Sequence, residues 1–404
     1  MPVLRNIAQL ATCPPDNPQQ DAGLIDNAAL VWTDGTVRWA GPVGELPAEF
    51  RKETVLDCER RLVIPGLVDC HTHLCFGGWR GDEFDLRLRG ASYQEIAAAG
   101  GGIASTVAAT RGASTGKLVR KARSALDGML ALGVTTVECK TGYGLDEANE
   151  LKQLEVYRQL NEEHSLDLVS TYLGAHIVPP EFSKDRNRYI SLICDVMIPL
   201  VAERNLAEFC DAFVEEGAYA QDEASRIFEV AVTHGLGIKV HADQLSDGGG
   251  AVLAADMNAV SAEHLEYISE DGIRALAASG TVAVSLPIAS LYLGEPYLPA
   301  RKLIEAGVPV AVATDFNPGS APSYHLPFAM TLACLNQKMT PQEVLNGATT
   351  IAARAVGRQQ SIGSLIPGYQ ADLAIIDAPS LNHWLYHFVP NACASVVKRG
   401  EFAH

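Results

Sequence analysis

The most constraining feature of this sequence is a regular alternation, through the middle of the chain, of short apolar runs with longer segments of helical period. Such alternation is typical of βαβ units, which place parallel strands in one sheet and connect them by helices. We identify eight candidate strands: Leu67–His71, Thr135–Cys139, Leu168–Leu173, Ala212–Val214, Ile238–His241, Ala259–Glu263, Thr281–Leu286 and Val308–Ala313. Eight such units predict a (β/α)8 TIM-like barrel, to which we assign residues 64–363.

Start and stop signals support helices between these runs. Ser114 is predicted to cap a helix that carries Leu118 and Leu126 on one face and ends before Gly133. Asp146 is predicted to cap the next helix in the same way. Both segments are therefore predicted to be amphipathic helices.

The two ends of the chain differ from its middle. Residues 24–63 alternate short apolar runs with turn residues, and Asp34-Gly35 is a good hairpin turn between two strand-like runs. After about residue 364 the β-like pattern returns, in GSLIPGYQADLAIID and ASVVKRG. The simplest arrangement joins residues 1–63 and 364–404 in one small β-sandwich domain beside the barrel. We therefore predict an α/β chain, a barrel with a small β domain formed by both chain ends.

Composition restricts the classes of partner. The chain has 404 residues, of which 48% are hydrophobic, and no apolar run is long enough to cross a bilayer. A formal net charge of −17 opposes binding to nucleic acid or to an anionic membrane, so we expect a small-molecule partner. The nine cysteines form no CxxC pair and are expected to be reduced thiols. The first residues lack the pattern of a signal peptide, and a cytoplasmic location is expected.

Candidate metal ligands fall at the predicted strand ends. His71 and His73 stand one residue apart in PGLVDCHTHL, and positions i and i+2 of a strand point to the same side. An isolated HxH, however, is more often a coincidence or a packed pair. His241 in GIKVHADQ and Asp315 in VPVAVATDFNPGS end two further strands, at the mouth where barrels of this kind build active sites. The four side chains suit one divalent ion, zinc or iron, with a position left open for water.

Two more histidines end predicted strands. His264 ends the sixth strand in SAEHLEY, and this place at the mouth favours a catalytic role over that of a packed core histidine. His176 ends the third strand in TYLGAHIVPP and invites the same interpretation with less force. The other histidines have no such placement and are interpreted as structural: His164, His234, His325, His383, His387 and His404.

An HxH on strand one, histidines on strands five and six and an aspartate on strand eight together resemble the pattern of the amidohydrolase superfamily. A closer resemblance, to the imidazolonepropionase family, covers nearly the whole chain. It rests on HTHLCFGGWRGDEFDLRLRGASYQEIAAAGGGIASTVAATR, TGYGLDEANELK, YLGAHIVPPE, HADQLSDGGG, SAEHLEY and ATDFNPGS. Trp79 and Cys75 differ mildly from the family pattern, which affects only the expected fine shape of the pocket. The resemblance implies a cyclic amidase that converts 4-imidazolone-5-propanoate to N-formimidoyl-L-glutamate in histidine degradation.

The resemblance also implies roles for individual residues. The family's metal ligands fall on His71, His73, His241 and Asp315. Its substrate contacts fall on Arg80, Tyr143, His176, Gln244, Asn317, Gly319 and Ser320. As in related amidohydrolases, Asp315 is expected to act as base and then acid, and His264 to stabilise the carbonyl oxygen. Members of the superfamily are commonly dimers, so a homodimer is expected by analogy.

The chemistry of the implied substrate agrees with these positions. Its propanoate is an anion that approaches an acidic protein, and Arg80 supplies a fixed cation with a planar set of donors. The alternative for Arg80 is an ordinary surface or helix-capping arginine. Gln244 offers both an amide donor and an acceptor, which can read a ring N–H and a neighbouring carbonyl together. Tyr143 is either a donor to the carboxylate or a packed residue of the GYG turn.

The expected number of metal ions follows from the fourth strand. Binuclear relatives place a modified lysine there, whereas this strand reads DAFVEEGA and offers Glu215 or Glu216, so a mononuclear site is expected. Lys140, at the end of the second strand, is interpreted as a structural or substrate-facing cation. Two alternatives are a heterocycle deaminase of the same superfamily and a catalytically silent homologue that serves as a scaffold. The implied substrate contacts argue against the first, and the complete ligand set argues against the second.

Overall fold

The architecture consists of two eight-stranded sheets, one built from both ends of the chain and the other from its middle. The computed structural model describes residues 2–91, 95, 100–388 and 390–404. Among these residues, no helix combines the length and the apolar character that a membrane crossing requires. All nine cysteines carry free thiols.

Strands from both chain ends share one mixed sheet, numbered here along the chain. They are β1 Pro2–Ala11, β2 Leu24–Thr33, β3 Thr36–Pro42, β4 Thr54–Asp57, β5 Leu62–Pro65, β14 Leu373–Ile376, β15 Cys393–Lys398 and β16 Glu401–Phe402. The order is β16-β15-β14-β5-β1-β2-β3, and β4 pairs with β1. The β2–β3 hairpin turns at Asp34 (φ 49°) and Gly35 (φ 70°), which confirms the predicted turn.

The middle of the chain forms eight parallel strands in sequential order. They are β6 Leu67–Asp69, β7 Val134–Lys140, β8 Asp167–Ala175, β9 Phe209–Val214, β10 Gly237–Ala242, β11 Ser261–His264, β12 Val282–Ser285 and β13 Val310–Val312. Each overlaps a predicted strand, and the TIM-like barrel is confirmed. The N–H of Asp315 donates to the carbonyl of His71 at 3.0 Å, and the N–H of His73 donates to that of Phe316 at 2.9 Å. These bonds connect the first and last strands, so the barrel is nearly closed.

Helices follow most of the barrel strands. They are α1 Gly81–Leu88, α2 Ile103–Gly112, α3 Thr115–Leu130, α4 Glu147–Glu163, α5 Arg186–Leu192, α6 Ile198–Glu203, α7 Gln221–Thr233, α8 Gly250–Asp256, α9 Glu270–Ser279, α10 Pro287–Leu293, α11 Ala300–Glu305, α12 Leu326–Gln337, α13 Pro341–Gly347, α14 Thr350–Ala355 and α15 Leu381–Tyr386. A π-helical turn, Ile193–Met197, joins α5 to α6. Ser114 accepts from the N–H of Lys117, and Asp146 accepts from that of Asn149, so both predicted caps are confirmed.

The two sheets have different interiors. The mixed sheet packs an apolar core in which Leu30, Trp32 and Leu373 are buried. Trp32 Nε1 also donates to the carbonyl of Gly400 at 3.0 Å, which joins the two chain ends. The barrel instead buries charged side chains of its strands, among them Lys140 and Lys239. The division of the chain into domains at residues 63 and 364 remains a prediction.

Candidate active site

One cavity of about 740 Å³ opens where the barrel strands end. It is lined by most of the predicted site residues, namely His73, Arg80, Tyr143, His176, His241, Gln244, His264, Asp315, Asn317 and Ser320. The two remaining residues touch this group. His71 is fully buried, with Nε2 3.4 Å from Oδ1 of Asp315, and Gly319 packs against Arg80. The structure therefore gathers the predicted residues around one site.

The histidines after β6 face Asp315 across the closure of the barrel. The Nε2 atoms of His71 and His73 lie 3.4 and 3.5 Å from Oδ1 of Asp315. Burial disfavours positive charge on His73 and holds the pKa of its ring well below the usual value. A neutral imidazole keeps a ring nitrogen available as a metal ligand.

Two buried carboxylates stand behind the histidine rings. Oε2 of Glu263 lies 2.6 Å from Nδ1 of His71, and Oδ2 of Asp211 lies 2.9 Å from Nδ1 of His241. A carboxylate in this position favours the proton on Nδ1 and leaves Nε2 free for a metal ion. Burial opposes the charged form of His71, but Glu263 and Asp315 together outweigh burial and raise the pKa of that ring to about 9. The carboxylates around His71 therefore favour a positive charge at this point of the floor, whether a proton or a metal ion carries it.

The donor atoms fit one divalent ion. Ligand atoms of His71, His73 and Asp315 lie within 4.8 Å of one another, and so do those of His71, His241 and His264. Nε2 of His241 is buried without a hydrogen-bond partner among the described residues. Nitrogen and carboxylate donors at this spacing suit zinc or iron. The ligand cluster therefore supports a metal ion here. These five residues are called the floor of the cavity below.

A turn after β13 holds one carboxylate oxygen and the main-chain carbonyl of Asp315. Ser320 Oγ donates to Oδ2 of Asp315 at 3.2 Å, and Asn317 Nδ2 donates to the carbonyl of Asp315 at 2.7 Å. Oδ1 of Asn317 accepts from the N–H groups of Gly319 and Ser320 at 2.7 and 2.8 Å. Asp315 has a φ of 57°, in the left-handed region, a backbone strain that is often found at functional sites. One carboxylate oxygen thus faces the histidines while the other is held by the turn.

The charge state of Asp315 suits proton transfer. Burial raises the pKa of a carboxyl group, but His71, with His264 and His241, lowers that of Asp315 below its ordinary value. The group is therefore ionised at neutral pH. The ring of His264 stands 5.8 Å from that of His71, and its Nδ1 lies 3.7 Å from Oε2 of Glu266. The floor thus contains an ionised carboxylate, that of Asp315, and the ring of His264, which lines the cavity.

Arg80 projects into the cavity from the residue before α1. Its Nε donates to Oε2 of Glu83 at 2.7 Å, and its side chain is only 10% exposed. The guanidinium packs so closely on Gly319 that a Cβ there would stand 2.1 Å from Nη1 of Arg80. The side chain forms no cap bond with α1. Arg80 is therefore a cation of the cavity wall and not an exposed or helix-capping arginine.

Aromatic rings form another part of the wall. His176 follows β8 directly, and its ring stacks on that of His73 at 5.3 Å. Its Nδ1 lies 3.0 Å from the carbonyl of Gly142, and burial lowers the pKa of His176 to about 4. Tyr143 is buried, with its ring 5.7 Å from that of His73. Gln244 is half-buried and lies beyond β10. The residues called the rim below are Arg80, Tyr143, Gln244, Asn317, Gly319 and Ser320.

A buried ion network lies beneath the floor, and the sequence analysis missed most of it. Nζ of Lys140 lies 2.9 Å from Glu138, 2.8 Å from Asp211 and 2.8 Å from Glu263. Nζ of Lys239 lies 2.9 Å from Glu138 and 3.2 Å from Glu263. All five side chains are fully buried. Lys140 is therefore a structural cation and does not line the cavity.

The sequence does carry a signal for this network. Lys239 stands two residues before His241, and Glu138 two residues before Lys140, within strands that are almost wholly buried. Because alternate residues of a strand share a face, such pairs point together into the barrel. Glu215 and Glu216, which follow the fourth strand, both line the cavity, and Glu215 accepts from the N–H of Leu245 at 2.9 Å.

Comparison with known proteins gives a consistent result. The model of the amidohydrolase family matches residues 62–403. The imidazolonepropionase of Geobacillus thermodenitrificans is 48% identical over 385 residues, which cover 94% of this chain and 91% of the relative. The imidazolonepropionase of Parabacteroides distasonis is 42% identical over 406 residues, which cover 99% of this chain and 98% of the relative.

Solved structures share the fold at low sequence identity. An adenosine deaminase from Xanthomonas campestris with bound zinc superimposes with a TM-score of 0.70 at 18% identity, covering 99% of this chain and 92% of that one. A 5-methylcytosine deaminase from Klebsiella pneumoniae, liganded with 5-fluorocytosine, gives a TM-score of 0.74 at 17% identity, covering 100% and 97%. This likeness shows the fold alone. Relatives at 42–48% identity, in contrast, span nearly the whole chain. This protein therefore belongs to the imidazolonepropionase family of amidohydrolases and is a hydrolase.

Proposed function

We propose that this enzyme hydrolyses the cyclic amide of 4-imidazolone-5-propanoate to N-formimidoyl-L-glutamate, a step of histidine degradation. The observation that carries the proposal is the identity of 42–48% to imidazolonepropionases along nearly the entire chain. The cavity adds support, because it combines a cluster of metal-ligand type with an arginine, Arg80, in its wall. A cytoplasmic location and a homodimer belong to the same proposal and rest on the sequence analysis.

The proposed metal centre holds one divalent ion, zinc or iron, on His71, His73, His241 and Asp315. Its support is the proximity of these donors and the buried carboxylates behind His71 and His241. When bound, such an ion lowers the pKa of the attacking water and polarises the amide carbonyl. The protein's own part is to fix the rings with Nε2 towards the cavity.

Asp315 is the proposed general base and then general acid. It takes one proton from the attacking water, whose oxygen forms the new bond to the carbonyl carbon. It then returns that proton to the ring nitrogen as the carbon–nitrogen bond breaks. The lowered pKa of Asp315 keeps the carboxylate ionised before the first step, and the bond from Ser320 holds one of its oxygens in place.

His264 is proposed to meet the carbonyl oxygen as negative charge develops on it. A donor placed at that oxygen stabilises the transition state more than the ground state. The ring lies on the floor at 5.4 Å from that of His241, so it can reach a group bound above the ligand cluster. The carboxylate of Glu266 stands near this ring, with Oε2 3.7 Å from Nδ1 of His264.

The rim is proposed to recognise the substrate. Arg80 pairs with the propanoate through the guanidinium nitrogens that its bond to Glu83 leaves available. Gln244 reads the ring N–H and a neighbouring carbonyl, and Tyr143 borders the ring together with His176, which lines the cavity outside the rim. Asn317, Gly319 and Ser320 shape the turn on which Arg80 packs. A site with this cation discriminates against neutral heterocycles, which are the substrates of the deaminase alternative.

The test is to incubate the purified enzyme with 4-imidazolone-5-propanoate and follow the ultraviolet absorbance of the ring. We expect the absorbance to decay in proportion to enzyme, with N-formimidoyl-L-glutamate as the product by mass spectrometry. Cytosine and adenosine serve as controls and should release no ammonia. Ammonia release from these heterocycles, with a stable imidazolone, would contradict the proposal in favour of a deaminase.

A further inference from the structure

The buried ion network contains a second cation position close to the floor. The carboxylates of Glu138, Asp211 and Glu263 come from β7, β9 and β11 and converge on one atom, Nζ of Lys140, at 2.8–2.9 Å. Nζ of Lys140 donates hydrogen bonds to Glu138 and Asp211 and forms an ion pair with Glu263. Lys140 is therefore a cation surrounded by three carboxylates in the barrel interior.

The groups around Lys140 also have the spacing of metal ligands. Ligand atoms of Asp211, His241 and Glu263 lie within 4.8 Å of one another, and so do those of His71, Glu138 and Glu263. Oε2 of Glu138 is buried and has no hydrogen-bond partner among the described residues. Carboxylate oxygens, which all three of the groups around Lys140 offer, are ligands that divalent zinc accepts. The same shell could thus hold a metal ion in place of the ammonium.

The balance of charge requires a cation at this point. The network combines three carboxylates with two ammonium groups, and none of these side chains is exposed to solvent. Burial disfavours the charged form of Lys140, but Asp211, Glu138 and Glu263 outweigh burial and raise its pKa above the ordinary value. Removal of one partner from a buried ion network leaves uncompensated charge, which is strongly unfavourable. Without Lys140 the carboxylates would need another cation.

We propose that Lys140 is a built-in cation that occupies a second metal position and thereby restricts the centre to one ion. The inference rests on the proposed function only in assigning that one ion to the floor. Lys140 is a positioning residue in this account, since it also holds Glu263 and Asp211 against His71 and His241. Its contribution to the floor is made through those two carboxylates.

The test counts zinc ions per chain after equilibrium dialysis of the full-length enzyme against excess Zn²⁺, with elemental analysis. Lys140→Ala removes the ammonium and opens space, and we expect it to bind one ion more than the wild type. Lys140→Met removes the charge but keeps most of the volume, and it should gain the same ion with weaker affinity. Lys140→Arg retains a cation and should show no gain.

Lys239→Ala is the matched control. It removes a buried ammonium from the same network, but Lys239 contacts Glu138 and Glu263 and leaves all three carboxylates paired with Lys140. Its zinc content should equal that of the wild type. If Lys239→Ala also binds one zinc ion more than the wild type, the assignment of Lys140 to the second metal position is overturned. Zinc would then replace any ammonium removed from the network.

Lys140→Met and the wild type complete the set of zinc measurements. If Lys140→Ala does not fold by circular dichroism, Lys140→Met answers the same question. A folded variant of either kind that gains no ion overturns the proposal, and so does a wild type that binds two. A wild type that binds no zinc contradicts the proposed metal centre instead. In that case Lys140→Ala should still bind one ion more than the wild type.

Discussion

The floor and the rim of the cavity differ in what holds their side chains in place. Floor residues lie at or just beyond the ends of barrel strands, and buried carboxylates stand behind two of them, Glu263 behind His71 and Asp211 behind His241. Rim residues stand on turns and near helix starts, as Arg80 does before α1, and they are held by turn hydrogen bonds and by contact with one another. The difference teaches that the proposed chemistry and recognition have separate supports. Substitutions in the two regions should therefore fail in different ways.

The largest effect is expected on the floor, from His71→Ala. The variant loses one ligand and the partner of Glu263, so it should lose its metal and about a thousandfold or more of kcat, the scale of several kcal/mol of metal assistance. Metal content and turnover are measured on the same sample. His164→Ala is the control, because His164 pairs with Asp127 and does not line the cavity. Full activity in a metal-free His71→Ala enzyme would contradict the metal centre.

His264→Ala should separate chemistry from ligation within the floor. If His264 stabilises the carbonyl oxygen and is not a ligand, the variant keeps its metal while kcat falls by about a hundredfold or more. Elemental analysis and steady-state kinetics together give both values. Loss of the metal would make His264 a ligand, whereas an unchanged kcat would remove it from the mechanism.

Arg80→Met should show the behaviour of the rim. If the guanidinium pairs with the propanoate in both ground and transition states, KM rises much more than kcat falls. A charge-assisted pair contributes roughly 1.5–3 kcal/mol, so kcat/KM should drop by about ten- to a hundredfold or somewhat more. Metal content should stay normal, and an imidazolone without the carboxylate should be hydrolysed by both enzymes at nearly the same rate.

Arg87→Met is the matched control for that substitution. Arg87 lines the same cavity, but its guanidinium donates to the main-chain carbonyl of Tyr292 at 3.2 Å. It also lies 4.9 Å from the centre of the Tyr292 ring. We expect a KM close to that of the wild type. Equal losses for Arg80→Met on both substrates would show that Arg80 supports the loop and does not read the carboxylate.

Gly319→Ala should give the smallest effect and probe the contact within the rim. A Cβ at this position would stand 2.1 Å from Nη1 of Arg80, and the flexible end of that side chain must shift. We expect KM to rise by about tenfold or less, with unchanged metal content. In the double variant with Arg80→Met the two effects should not add, because the displaced group is already gone. If the losses in kcat/KM of the two single variants add in the double variant, Gly319→Ala acts through a contact other than the one with Arg80.

The sequence predicted the elements of this fold better than the buried partners of the site. Strands and caps depend on local patterns, so Ser114 and the eight runs were correctly placed. The regular strands β6 and β13 end earlier than predicted, at Asp69 and Val312, and the residues that follow make individual hydrogen bonds, among them those across the barrel closure. That closure joins segments far apart in the chain, which a local pattern does not contain.

The candidate site was predictable to different depths. The HxH pair and the strand-end positions indicated the floor from the residues themselves, whereas the rim came from the family resemblance. The buried ion network was missed because a sequence shows a charge in a strand without showing which charge it meets. Asp211 lies far along the chain from its partner Lys140, so only the three-dimensional arrangement reveals the pair.

The central claim, that the floor performs metal-dependent hydrolysis of 4-imidazolone-5-propanoate, is tested most directly by removing and restoring the metal. Enzyme stripped with a chelator and dialysed should retain its circular dichroism spectrum while the decay of imidazolone absorbance stops. Addition of about one equivalent of Zn²⁺ or Fe²⁺ per chain should restore the rate with one of the two ions at least. Undiminished ring opening by an enzyme verified to contain no metal would contradict the account.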